Sequence, residues 1–138
     1  MEENKKFKFD VIIGNPPYQE DTDSESTRMP PIYDKFMDAS FGIAEKTEFI
    51  HPARFLFNAG YTPKNWNEKM LNDKHFKVLM YEPDSNKVFP NLSTPVKGGI
   101  AITYYDNQAN FAPIKIFTKF TELNSCLLYT SDAADDKA

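Results

Sequence analysis

The sequence predicts an α/β protein built on a doubly wound sheet that turns antiparallel near one edge, and three observations carry that expectation. Apolar runs of strand length alternate with helix-period segments through the first eighty residues; the first run stops at a glycine and a proline pair; and a later run, Gly99-Ile-Ala-Ile-Thr-Tyr-Tyr105, follows a polar loop and alternates weakly.

Taken in order, Phe9-Asp-Val-Ile-Ile13 is apolar and β-branched and meets Gly14 at once. It reads as a fully buried parallel strand with a tight loop at its carboxyl end. Residues 20–31 are polar and bounded by prolines, the composition of a loop that is mobile unless something docks on it. Tyr33, Phe36, Met37, Phe41 and Ala44 recur at helical spacing, giving an amphipathic helix over 33–46. Glu48-Phe-Ile50 reads as a second short strand, and Pro52-Ala-Arg-Phe-Leu-Phe57 as a helical turn stopped near Gly60. Thr62 and Pro63 have the chemistry of an N-cap and a first-turn proline, opening a helix that runs to about Asp73. Phe76-Lys-Val-Leu-Met-Tyr81 is the third strand and the run from Gly99 to Tyr105 the fourth, with Ile114-Lys-Ile-Phe117 patterned as its hairpin partner.

Composition narrows the class. With 138 residues, 41% hydrophobic and 26% charged, the chain fits one soluble globular unit, which excludes collagen, low-complexity disorder and a coiled coil. No run approaches the roughly 18 apolar residues of a membrane-spanning helix and the opening residues lack the apolar stretch of a secretory signal, so a cytoplasmic protein with no membrane partner is expected. Cys126 stands alone, and His51 and His75 are isolated, so neither a disulfide framework nor a structural metal is expected.

The net charge of −4 opposes a nucleic-acid partner, whose phosphates call for a basic face. Residues 126–138, however, break the composition and resemble the translation of a transposon-end sequencing adapter. They are read as a processing scar, the native segment being 1–125. That tail holds three aspartates and one lysine, so without it the net charge is −2 and the electrostatic objection weakens.

Ligands of open α/β sheets bind outside the carboxyl ends of the strands, which directs attention to the loop Gly14-Asn15-Pro16-Pro17-Tyr18. Pro17 biases Pro16 to an extended conformation and neither ring nitrogen carries a hydrogen, so the Pro16 carbonyl is a rigid, uncontested acceptor. The Asn15 side-chain oxygen is a second neutral acceptor, and two acceptors can take both hydrogens of one exocyclic amine. Such a grip draws an aromatic amino nitrogen toward sp³ and aims its lone pair at an electrophilic methyl. Tyr18 can stack on the base, an interaction worth roughly 1 to 3 kcal/mol. A turn with a packed aromatic is the plain structural alternative for these four residues; the buried strand directly before them favours the chemical one.

Lys8-Phe-Asp-Val-Ile-Ile-Gly-Asn-Pro-Pro-Tyr-Gln19 resembles the catalytic motif of amino-group DNA methyltransferases, and more narrowly the N6-adenine methylases of restriction-modification systems. The likeness continues in order through Phe49-Ile-His-Pro-Ala-Arg-Phe55, Met70-Leu-Asn-Asp-Lys-His75 and Val88-Phe-Pro90 to Lys97-Gly-Gly-Ile-Ala-Ile-Thr-Tyr-Tyr105. The resemblance implies the later strands of a Rossmann-like, S-adenosylmethionine-dependent methyltransferase sheet. It also implies Asn15 and Pro16 as amine acceptors, Pro17 and Tyr18 against the base, and Asn15 also bordering the cofactor. The family's later base-contacting aromatic falls on Tyr105, or on Tyr104 on the opposite strand face. The implied partner is double-stranded DNA with a flipped adenine. One departure is large: no glycine-rich cofactor loop follows any strand here, so the main S-adenosylmethionine site and the target-recognition region are expected elsewhere in the same gene. The resemblance favours an upstream cofactor half, although families with the reverse order exist.

His51 and Arg54 read as strand-end and helix-surface residues, and Lys64, Lys69, Lys74 and Lys77 as a solvated face rather than phosphate ligands. Three other functions stay open at this stage: methylation of a protein glutamine, methylation of an RNA base, and an inert interaction fragment.

Overall fold

The computed structural model describes residues 8–19, 30–120 and 122–124, so the reading of 126–138 as a tail and most of the polar segment 20–31 lie outside the described residues. Four strands, β1 (Phe9–Gly14), β2 (Ala44–Pro52), β3 (Phe76–Glu82) and β4 (Ile100–Asp106), form one sheet in the order β1-β2-β4-β3. Two helices, α1 (Tyr33–Ile43) and α2 (Lys64–Asn72), connect β1 to β2 and help connect β2 to β3. β1 and β2 are parallel, with Ile12 opposite Thr47 and Gly14 opposite Phe49. β4 is antiparallel to both β2 and β3, so β1, β2 and β3 all point one way and β4 returns between them. The antiparallel strand thus lies one place in from the edge.

Burial alternates from Lys46 to His51 in β2: Thr47, Phe49 and His51 are buried, while Lys46, Glu48 and Ile50 are only partly covered. This pattern corrects the expected boundary between helix and strand. Ala44, Glu45 and Lys46 favour helix by propensity, but pairing with β1 on one side and β4 on the other outweighs a few tenths of a kcal/mol per residue. The helix stops at Ile43 and the strand is nine residues long.

Tyr33 and Met37 from α1, Trp66, Met70 and Leu71 from α2, and Phe55, Leu56 and Phe76 make the core against that face. The Trp66 indole N–H donates to Asp38 at 2.9 Å, tying the two helices together. α2 begins one residue later than the capping pattern suggests. Pro63 is its N-cap and provides no side-chain cap, because the Thr62 hydroxyl is turned to the Asn67 side-chain oxygen at 2.6 Å. The helical turn after β2 is a 3₁₀ segment, Arg54–Phe57, closed by Asn58 in the left-handed conformation (φ 55°).

Two further expectations are corrected. β1 is not buried on both faces: it is an edge strand, Ile12 packs against the core, and Phe9, Val11 and Ile13 are exposed, since no described helix crosses that side. Ile114–Phe117 forms no strand; Phe117 instead packs edge-on against Phe57 and Tyr81 at 5.4 and 5.3 Å, closing the core beside β3.

His51 is wholly buried, stacked parallel to Tyr33 at 5.9 Å. Its Nδ1–H donates to the Pro52 carbonyl at 2.8 Å and its Nε2 accepts from the Thr103 hydroxyl at 2.6 Å, which fixes a neutral ring. Burial drives its pKa down from 6.5 to about 4. Between those values the unfolded chain takes up a proton that the native chain refuses. Stability conferred by the neutral ring is therefore complete above pH 6.5 and falls by roughly 3 kcal/mol as the pH drops to 4. Denaturant unfolding at pH 7 and pH 4.5 should show this loss, and His51→Gln should lose distinctly less over the same interval. Equal losses in the two proteins would remove the assignment.

Candidate active site

The loop after β1 lies at the carboxyl end of the parallel strands. Beyond Gly14 the chain leaves the sheet. Pro16 is buried, Asn15 and Pro17 are exposed, and Tyr18 is half-buried. The Tyr18 carbonyl accepts from the Ile32 N–H at 3.2 Å and Gln19 bridges Pro31, so the end of the loop is pinned to the entry of α1. Among the described residues, no hydrogen bond engages the Asn15 side chain or the Pro16 carbonyl. Two neutral acceptors one residue apart thus have no partner among the described residues, on a backbone stiffened by two prolines.

Tyr18 forms one wall of a cleft of about 580 Å³. The other walls come from the corner after β2 (Pro52, Arg54), from Gly60 and Tyr61, from Tyr33, and from the β3–β4 loop (Leu92, Thr94 to Lys97). The Tyr18 hydroxyl is buried with no partner among the described residues, and desolvation raises its pKa to about 12, so it stays protonated at any working pH. A buried, unmatched hydroxyl contributes nothing to folding. Tyr18→Phe should accordingly leave the unfolding midpoint unchanged or slightly higher, whereas Tyr18→Ala should weaken binding of a stacked base by roughly 1 to 3 kcal/mol. If Phe were as damaging to binding as Ala, the hydroxyl rather than the ring face would be the important group.

Tyr105 is not brought to this loop. Through Thr47 it aligns with Ile12, two residues short of Gly14, because antiparallel β4 carries its carboxyl end toward the amino ends of β1 and β2. Its ring is stacked on Phe41 at 4.0 Å and meets His75 edge-on at 5.9 Å, so it serves the core. Tyr104 is on the opposite face, bonded to Asp106 at 3.0 Å and beside Phe111. The same reversal that removes these tyrosines brings in the β3–β4 loop, which leaves β3 at the end where β1 delivers Asn15.

The sequence does not mark that loop or Tyr61 as part of the site, since neither has a period, although Val88-Phe-Pro90 and Lys97-Gly98-Gly99 carry part of the family resemblance. The available signal was Lys97-Gly98-Gly99 before a strand. Gly98 and Gly99 adopt φ of 85° and 86° and turn the loop back toward Ala53, whose N–H donates to the Gly99 carbonyl at 3.0 Å. Three of the four lysines have local contacts: Lys64 donates to the Asn58 carbonyl, Lys69 pairs with Asp38 at 3.9 Å, and Lys77 lies over Phe111 at 4.6 Å.

Whether this chain could hold a nucleoside cofactor can be tested at its positive-φ glycines, the residues that permit close approach of a ligand to backbone. Each faces protein: a Cβ on Gly60 or Gly98 would meet Arg54, and one on Gly99 would strike the Glu82 carbonyl oxygen. The described glycine turns offer no open cradle. No group of three or more His, Cys, Asp or Glu able to hold a metal occurs among the described residues.

Strand order, loop position and cleft define a class: an α/β domain that presents neutral hydrogen-bond acceptors and an aromatic ring at the carboxyl end of its parallel strands. The chain belongs to the Eco57I restriction-modification methylase family, whose model matches residues 1–89. It is also similar to a protein of Mycoplasma pneumoniae (strain ATCC 29342 / M129 / Subtype 1) described as an uncharacterized adenine-specific methylase, with 31% identity over 119 residues. The match covers 84% of this chain and 28% of that relative, so the chain spans well under a third of the relative's length. No solved structure matches it significantly.

Proposed function

We propose that this chain is the amine-gripping part of a DNA methyltransferase that methylates the N6 amino group of adenine within a restriction-modification system. The observation that carries the reading is the pair of unengaged acceptors, Asn15 and the Pro16 carbonyl, beside the half-buried Tyr18 ring. The exocyclic nitrogen of adenine is a poor nucleophile because its lone pair is delocalised into the ring. Hydrogen bonds from its two hydrogens to Asn15 and Pro16 localise that pair on nitrogen and direct it away from the loop. Both acceptors are neutral and weakly basic, so as the donor's sulfur–methyl bond is exchanged for the new N–C bond and the donor leaves as a neutral thioether, the amine proton would pass to water.

S-adenosylmethionine is the methyl donor in this reading. With no open glycine cradle among the described turns, its main binding site belongs to other parts of the complete enzyme, Asn15 bordering it from this side. The edge of β1, unpaired among the described residues, and its exposed Val11 and Ile13 support a Rossmann-like sheet that continues beyond the four described strands. Because the target amine is paired inside a duplex, the base must be extruded, and Tyr18 replaces part of the stacking it loses. The family match and the adenine-specific relative favour DNA over a protein glutamine or an RNA base.

The test is label transfer by the complete enzyme from methyl-labelled S-adenosylmethionine to unmethylated duplex DNA, to RNA and to protein, offered separately. Label in DNA alone is expected. Label confined to protein or to RNA would replace this reading with the corresponding alternative.

A further inference from the structure

Arg54 was read from the sequence as a helix-surface residue, yet the fold treats it as a held cation. It follows the β2 corner, lines the same cleft as Tyr18, and its guanidinium lies 5.8 Å from the Tyr61 ring centroid. Its aliphatic stem is clamped from two loops. A Cβ on Gly60 would come within 3.2 Å of Arg54 Cδ, and one on Gly98 within 3.1 Å of Arg54 Cβ and Cγ. Both glycines have positive φ, 86° and 85°, so two backbone turns that disfavour side chains close on this one stem. No carboxylate among the described residues pairs with Arg54; the two ion pairs there are Lys69–Asp38 and Lys87–Glu82. Lys97, of the loop that Gly98 turns, adds a second positive residue to the cleft wall. A guanidinium whose stem is fixed, whose face meets only a tyrosine ring and which has no carboxylate partner among the described residues fits a ligand with paired anionic oxygens.

We propose that Arg54 forms a backbone-phosphate subsite, holding a phosphate next to the extruded adenosine so that the base is seated against Tyr18. This rests on the nucleic-acid reading above and adds to it a positioning residue that the amine chemistry does not require. A phosphate contact fixes register without reading sequence, so its loss should weaken binding evenly across DNA sequences.

The experiment measures affinity of the complete enzyme for a duplex containing its mapped target adenine, over a series of salt concentrations. Arg54→Gln should weaken binding about tenfold near 0.1 M salt and reduce the slope of log K against log salt by about one, while Arg54→Lys retains the slope. A duplex with an uncharged methylphosphonate at one of the phosphates flanking the target adenine should cost the wild-type enzyme the same factor. Combined with Arg54→Gln it should cost nothing further. The methylphosphonate arm needs no variant to fold. An unchanged slope, or losses that multiply at every flanking phosphate, would overturn the subsite. The two readings fail separately. DNA methylation with an Arg54-independent slope removes only the subsite, and an Arg54-dependent slope on unmethylated duplex with no adenine methylation removes the adenine chemistry and leaves Arg54 a phosphate contact without an assigned base.

Discussion

Replacing Asn15 with alanine is expected to lower turnover of the complete enzyme by about a hundredfold or more, with cofactor affinity less affected. In the proposed role the side-chain oxygen is one of two acceptors for the amine, and its bond would strengthen as the nitrogen leaves the plane of the base. It therefore acts in the transition state more than in the ground state. Nothing in the fold depends on it, since the side chain is exposed and makes no hydrogen bond among the described residues. Asn15→Asp keeps an acceptor oxygen at that position and should lose less than alanine does. Single-turnover kinetics with saturating cofactor measure the effect directly, and a turnover within a few-fold of wild type would end the proposed role of Asn15.

The largest structural effect is expected at Gly99. A Cβ there would strike the Glu82 carbonyl oxygen and lie 2.8 Å from Pro83 Cα, both backbone atoms that cannot swing aside, on a residue already at φ 86°. Left-handed strain and overpacking together should cost Gly99→Ala about 3 to 5 kcal/mol. Gly98→Ala is similarly strained but would meet Arg54 Cβ and Cγ at 3.1 Å and its Cα at 3.2 Å, longer contacts than those at Gly99, and should lose less stability. Its main effect should be to displace the Arg54 stem. Denaturant midpoints of the two variants compared with wild type decide this, and a Gly99→Ala protein as stable as Gly98→Ala would contradict the described turn.

Much of the fold was legible because period and punctuation agree with it. Phe9 to Gly14, Tyr33 to Phe41 and Phe76 to Tyr81 each carry a single clear pattern, and the structure makes each an element of the expected type. The helix–strand junction at Ala44 was not legible, because Ala-Glu-Lys is locally helical and becomes strand only through two partners distant in sequence. The exposure of β1 was hidden for a related reason: a β-branched run states that it can be buried, not which of its faces is covered.

At the site, the acceptor loop was readable as chemistry, since two prolines and an asparagine after a strand restrict what the backbone can do. The opposite wall was not. The family resemblance puts its later base-contacting aromatic on Tyr105, but strand direction decides which end reaches the loop, and β4 runs the other way. Arg54 was passed over because its setting is made by Gly60 and Gly98, six and forty-four residues away, and by a ring, Tyr61, outside any periodic segment.

The central claim is that Asn15 and Pro16 present the N6 amine of adenine for methylation. It is tested most directly by digesting DNA to nucleosides, and analysing them by mass spectrometry, from a methylation-deficient host expressing the complete enzyme. N6-methyl-2′-deoxyadenosine should appear with the wild-type protein and vanish with Asn15→Ala at equal expression. No methylated adenine with the wild type, or methylated adenine undiminished by Asn15→Ala, would contradict the account.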